Sequence, residues 1–390
     1  MRLFKWEFLK IIRDWKVRIL LLALLIFLAT FSSFYQNQNV SLPLENIREQ
    51  YSQVENVYYA SPEAHLQTEV GEYVDGLLAE NQWLLGMQRY ILNQRDGNTV
   101  EGLEDLVGNY VEQGMTINEN ILKLLDATDF ESYPLLVENL PTAEEVEAEM
   151  QFLTYLDENN VDIDWNPMSP SLVLFELVNT VAGVFLFIVA AVMGADRFSL
   201  DQSRNWSITQ GIPASWHTQW RLRTFINWML IWIISVMGIL ISYFISTTRA
   251  DTGTLMYPVQ LYGPQYVEHI SVLSYTLVVT LLVMVLSYLI IKLSVGLSWV
   301  FRNIYLTIAI VIGVFFIPYI FTVIPPGSGM NPLLYLQIEP VLNGLWEPLF
   351  VNIPRMIVAF VLLFLIIEIL FFFIFQLIPT RTGKLERRRN

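Results

Sequence analysis

Residues 171–195 read SLVLFELVNTVAGVFLFIVAAVMGA, a run with a single charged side chain, Glu176. A helix rises ~1.5 Å per residue, so a run of this length reaches across a ~30 Å hydrocarbon core. Lipid offers no partner to backbone N–H and C=O groups, and a helix satisfies them within the segment. Five further apolar runs share the property: 17–35, 224–246, 271–293, 303–323 and 355–378. A soluble core would have to hold six long, nearly uncharged helices in one domain, which is the poorer reading. The expectation is an all-α membrane protein with six transmembrane helices.

Composition points the same way. Apolar residues make up 54% of the chain and charged residues only 15%, against about 25% charged in soluble domains. The chain has no cysteine and three histidines, His65, His217 and His269. That leaves no disulfide, no thiolate nucleophile and no Cys- or His-rich metal site. No phosphate-binding loop, H-E-x-x-H, G-x-S-x-G or dinucleotide fingerprint occurs. Gly383-Lys384 stands alone in a basic tail. No activity as an enzyme and no cofactor are expected of this chain, and no nucleic-acid partner.

Basic residues orient the helices, because Lys and Arg accumulate on the cytoplasmic side. With both termini inside, 17 of the 23 basic residues fall on that side. They lie in residues 1–18, in the loop after the second helix, near Lys292 and Arg302, and in the tail 379–390. A basic stretch before an apolar run also resembles a secretory signal. No small-x-small cleavage site follows Phe34, so an uncleaved first helix is expected. Residues 1–16 place Phe4, Phe8, Ile11, Ile12 and Trp15 on one helical face. Two readings fit them: an amphipathic helix lying in the inner interface, in contact with membrane lipids, or an inward extension of the first membrane helix.

Residues 36–170 carry 26 acidic and 4 basic side chains, a net charge of −22, whereas the rest of the chain is net +8. Helical spacing marks 45–60, 63–95, 100–126 and 142–160; Val70, Tyr73, Val74, Leu77 and Leu78 form one stripe. Ser61-Pro62-Glu63 and Pro141-Thr142-Ala143-Glu144-Glu145 read as helix starts. A small extracellular α-helical domain is expected between the first and second membrane helices. Its charge keeps it soluble or draws in a cationic ligand such as a basic peptide.

The loop 196–223 opens with Asp196 and Arg197 and continues through Gln210, Gly211, Pro213 and Ser215 to Arg221 and Arg223. Gly211 and Pro213 break it into two short helical pieces, and Ser215 is placed to cap the second. Here the chain resembles the permease subunits of ABC-2 type transporters. In that family an acidic residue ends the second helix, a Gly/Ser-x-Pro-x-Ser segment follows, and a basic residue opens the third helix. Asp196, Gly211, Pro213, Ser215 and Arg221 or Arg223 occupy those positions, with Asp196 where Glu is more usual. Six helices, an amphipathic N-terminal helix and a large insert after the first helix resemble the exporter branch. Residues 324–352, rich in Pro and Gly, resemble its short re-entrant segments before the last helix.

The resemblance implies an exporter subunit in a bacterial plasma membrane, with residues 36–170 outside. It implies pairing with a second copy or a paralogue, and a separate ABC ATPase subunit that binds ATP and Mg. The loop 196–223 would dock on that ATPase. The substrate would be hydrophobic or amphipathic: a peptide, a bacteriocin or a lipid-like molecule, exported for secretion or for immunity. The residues leave two other functions open: a receptor or immunity protein that binds a cationic ligand through its outer domain, and an ion-coupled transporter using Glu368. Glu368 falls near the middle of the sixth helix, where acids are costly and face protein or water. It lines a route or an interface, or it pairs with a polar group such as Asn179 or Asn227 to hold the bundle together. Glu176 is near enough to a helix end to snorkel outward.

Overall fold

The computed structural model describes residues 2–35, 42–96, 103–164, 166–199, 214–250, 253–262, 267–323, 332–342 and 353–377. Among them the chain is overwhelmingly helical. A short helix α1 (Arg2–Arg13) leads into α2 (Trp15–Ala29). Asp14 separates the two: its backbone is extended and its carboxylate accepts from the N–H of Lys16 at 3.1 Å, capping α2. Residues 1–16 are thus not one uninterrupted helix with the first apolar run, and Trp15 belongs to α2, 69% exposed. Of the expected stripe, Ile11 is buried and Phe8 and Ile12 pack against the core.

The acidic segment forms a bundle of α3 (Pro43–Ala60), α4 (Glu63–Leu66), α5 (Glu69–Asp96), α6 (Leu103–Asp126), α7 (Tyr133–Asn139) and α8 (Ala143–Asn159). A capping box starts α8: Thr142 Oγ1 accepts from the N–H of Glu145, and Glu145 accepts from the N–H of Thr142 at 2.8 Å. The expected helix over 63–95 is broken after Leu66, where Thr68 donates to the carbonyl of His65 and accepts from the N–H of Gly71. In the apolar stripe Val74, Leu77 and Leu78 are buried, but Tyr73 is 53% exposed.

The second apolar run is bent. Helix α9 (Pro170–Thr180) meets α10 (Leu186–Ala195) through a turn of π-helix, Val181–Phe185, with a 41° change of direction. An extra residue in the helical ladder produces such a kink. Next come α11 (Trp216–Thr247), a hairpin of β1 (Pro258–Tyr262) and β2 (Val267–Ser271), and α12 (Val272–Phe301). No strand was expected from the sequence. The hairpin packs on α8, where Phe152 meets Tyr257 edge-on at 5.9 Å, and it runs directly into α12. Then follow α13 (Ile304–Val323), a 3₁₀ turn Pro332–Leu336, α14 (Ile338–Leu342) and α15 (Ile353–Leu377). Of the stretch 324–352, only the 3₁₀ turn and α14, with Gln337 between them, lie within the described residues.

Among the described residues three helices, α11, α12 and α15, are long and apolar enough to cross a membrane; the bent α9–α10 pair passes the same test when its two halves are counted as one span. The most extensive packing joins α10 to α12 and α2 to α11. Small residues permit these close approaches, as is usual between apolar helices. A Cβ on Gly194 would lie 2.6 Å from Ser294 Cβ, and one on Gly238 2.6 Å from Leu28 Cβ. Ser294 also donates to the carbonyl of Ala191 at 2.7 Å.

In the acidic bundle, burial raises the Glu149 carboxyl above the ordinary carboxylate range. A carboxyl with a raised folded-state pKa binds its proton more tightly folded than unfolded. Its effect on stability therefore worsens as pH climbs from the ordinary value through the raised one. Glu149→Gln should raise the thermal unfolding midpoint at neutral pH, with each tenfold difference in proton affinity worth about 1.4 kcal/mol. The gain should vanish as pH falls below the ordinary carboxylate value, where both states become protonated. A variant that melts lower than the parent at neutral pH would refute this.

Candidate functional site

Two charged clusters lie at the end of the bundle where α1 packs. The first is centred on Arg223, inside α11. Its Nε and one terminal nitrogen donate to Glu7 Oε1 of α1 at 3.0 and 2.8 Å. The other terminal nitrogen donates to the carbonyl of Arg197 at 2.6 Å, and the guanidinium sits 4.3 Å from the Phe198 ring centre. Both partners of the ion pair are essentially out of solvent, Arg223 at 1% and Glu7 at 2%. One side chain thus ties α1, the turn after α10 and α11 together. Phe198 N–H also donates to Ser298 Oγ of α12 at 3.3 Å.

Asp196 and Arg197 complete this cluster. Asp196 ends α10 and is buried, 3.2 Å from Arg197 Nε, which also donates to the carbonyl of Met193 at 2.8 Å. Arg197 reaches toward Asp14 at 3.9 Å. Ser215 caps α11, accepting from the N–H of Thr218 at 3.1 Å. The helix then continues unbroken for 32 residues. The expected second short piece of the loop is therefore the first two turns of α11, and Arg221 and Arg223 are helical rather than loop residues. Gln210, Gly211 and Pro213 lie outside the described residues.

The second cluster is centred on Glu368 of α15. Its carboxylate pairs with Lys292 of α12 and with Arg221 of α11, and lies 3.0 Å from His217 Nε2. Lys292 is 1% exposed. Its ammonium sits over the Phe364 ring at 3.8 Å and near Trp220 at 4.9 Å. Three helices thus converge on one carboxylate. This replaces the expectation that Glu368 pairs with Asn179 or Asn227. Those two make other contacts: Asn179 Oδ1 accepts from the Tyr275 hydroxyl at 2.6 Å, and the Asn227 amide donates to the carbonyl of Arg223 at 2.7 Å. Glu176 is 5% exposed and so does not snorkel into solvent.

Sequence reasoning missed Glu7, Lys292 and His217. Trp228 and Trp232 of α11 face the bundle. Trp220, Trp228 and Trp232 donate their indole N–H groups to α12: to the carbonyls of Lys292 and Met284, and to Ser287 Oγ, at 2.9, 3.0 and 2.8 Å. The available signal was spacing, since 220, 228 and 232 share one face of a helix. Among the described residues no group of acidic, His or Cys side chains is arranged to hold a metal ion. Comparison with protein-family models, curated proteins and solved structures finds no match to the chain.

Proposed function

We propose that this chain is the permease subunit of an ATP-driven exporter of the ABC-2 type. In this reading six helices cross a bacterial plasma membrane, both termini are cytoplasmic, and the acidic bundle projects outward. The chain pairs with a second permease and with an ATPase that carries ATP and Mg. It moves a hydrophobic or amphipathic substrate outward.

The observation that carries the reading is the Arg223 junction. The loop whose residues resemble the family's coupling element begins at Asp196 and runs into α11. Arg223 ties both of its ends to α1 through one buried guanidinium. A partner pressing on that loop moves α1, α10 and α11 as one body. Such a body can be switched between two arrangements by a ligand bound to the partner. The Glu368 cluster fits a holding role better than ion coupling, because two cations already neutralise its carboxylate.

Gentle purification from native membranes should recover a P-loop ATPase in stoichiometric amount. Replacing Gly211-Ile212-Pro213 by three alanines should abolish ATPase-coupled export, by about tenfold or more, without loss of membrane insertion. Full export by that variant removes the coupling role from the loop. An intact complex without any ATPase would favour a receptor or immunity protein built on the acidic bundle.

A further inference from the structure

Helix α5 of the acidic bundle fills the core with one side and leaves the other bare. Val74, Leu78, Asn81 and Leu85 are fully buried. On the opposite side Gly76, Ala79, Trp83, Gly86 and Tyr90 recur at the three- and four-residue steps of a single helical face. Trp83 is 63% exposed and Tyr90 58%. One exposed aromatic on a soluble surface is ordinary; two of them interleaved with glycines are not. Elsewhere in the chain helical glycines answer to a close neighbour: a Cβ on Gly194 or Gly238 would lie 2.6 Å from another side chain. A Cβ on Gly76 or Gly86 meets nothing within 4 Å. Glycine is among the residues least suited to a helix interior, and nothing packed against these two within the chain accounts for it. The face thus has the relief of a helix-packing surface, a Trp knob between two depressions about 15 Å apart.

Charge decides what fits it. Glu72 and Glu80 are exposed on the same face, and Glu80 is steadied by the Asn120 amide, which donates to it at 3.1 Å. Arg89 of the same helix lies instead over the Tyr51 ring of α3, 5.8 Å from its centre. Residues 36–170 carry a net charge of −22. A second copy of the chain would press another bundle of that sign against the face, and like charges oppose such a contact. A basic partner gains twice. Its cations meet Glu72 and Glu80, and Lys or Arg is also drawn to the faces of Trp83 and Tyr90.

We propose that this face of α5 docks a cationic amphipathic helix, a peptide with an apolar stripe flanked by Lys or Arg. From Glu72 to Tyr90 the face runs about 27 Å, or five turns, which sets the length of the partner helix. The peptide's apolar stripe settles into the depressions at Gly76 and Gly86 on either side of Trp83, the i, i+3, i+4, i+7 mode of helix recognition. This inference stands on the outer bundle and holds for an exporter or a receptor alike. Recovery or absence of an ATPase partner neither supports nor weakens it.

The test uses the full chain in nanodiscs of zwitterionic lipid, with empty nanodiscs as the blank. The probes are two fluorescent peptides of about eighteen residues, both made of Leu, Ala and Lys in the same proportions. One gathers its lysines on one helical face and the other scatters them. At about 0.15 M salt the amphipathic peptide should bind about tenfold tighter than the scattered one. Trp83→Ala should remove most of that preference. Gly76→Leu with Gly86→Leu should abolish it while melting no lower than the parent, because the added side chains meet nothing in the chain and leucine favours a helix. Equal affinity for the two peptides, fading together as salt rises, would mean general charge attraction and overturn the proposal. A preference that survives in the folded double-leucine protein would place the peptide elsewhere and overturn it as well. So would failure to bind either peptide; the chain has no cysteine, and disulfide-linked dimers of Trp83→Cys would then assign the face to a second copy.

Discussion

Glu7→Ala is expected to cost about 3–5 kcal/mol and to release α1 from the bundle. The reason is what stays behind. Arg223 is 1% exposed, and without Glu7 its guanidinium is a buried charge that has lost its paired carboxylate and keeps neutral contacts such as the Arg197 carbonyl and the Phe198 face. Removing one partner of a buried pair is far more costly than replacing both by apolar groups of similar volume. Glu7→Met alone should therefore be severe, and Glu7→Met with Arg223→Met should recover most of the loss. Limited proteolysis within residues 2–14 and thermal unfolding in detergent read the two effects separately. Glu7→Ala with unchanged melting and an unchanged proteolysis pattern would show that the pair holds nothing. In the transport reading the same variant should lose coupled export while an ATPase still binds, because the loop would then move without α1.

Much of the helical order was legible because it depends on local pattern. Runs of apolar residues about 20 long, and starts such as Pro141-Thr142-Ala143-Glu144-Glu145, carry their physics within one or two turns. Helix α11 shows where this stops. Hydropathy places its start at Thr224, since Arg221 and Arg223 precede the apolar run, yet the helix begins at Trp216. Ser215 caps it, and Trp220, buried against Phe371 and α12, makes those first turns part of the core. The charge that ended the apparent span is cancelled by Glu7, 216 residues away in sequence. No spacing rule reports such a pairing. The hairpin β1–β2 was missed for a related reason. Each strand has five residues and leans on α8 and α12, so its stability lies in tertiary contacts rather than in strand propensity.

The site was legible in part. Of the residues that carry the family resemblance, Asp196 and Arg223 fall around one junction, as a helix end and a helix residue, whereas Arg221 joins the Glu368 cluster. The conformation of Gly211 and Pro213 stays outside the described residues, so the resemblance rests on their sequence alone. Glu368 stood out because an acid in an apolar run demands a partner. Its partners could not be named, because they come from α11 and α12, more than seventy residues upstream. In the sequence Lys292 reads only as a basic residue marking the cytoplasmic end of an apolar run. Only the packing of α12 against α15 brings it to that carboxylate.

Glu368→Gln should destabilise the bundle by about 3 kcal/mol, and the pattern of single and double variants should identify the reason. The wild-type site balances one carboxylate against Lys292 and Arg221. These two cations are not equivalent: Lys292 is 1% exposed, and Arg221 is 56% exposed and can turn toward water. Loss of Glu368 therefore strands Lys292 chiefly, with aromatic faces at 3.8 and 4.9 Å as partial compensation. Lys292→Met should be milder, because Arg221 and His217 still meet the carboxylate. The double variant Glu368→Gln, Lys292→Met should melt close to the parent, leaving a coupling energy of about 1–3 kcal/mol. Additive losses would mean that the two side chains do not act as a pair. The double variant also separates the two roles open to Glu368. A carboxylate that only holds α11, α12 and α15 together leaves export intact once the fold is restored; one on the translocation route leaves a stable protein that no longer exports.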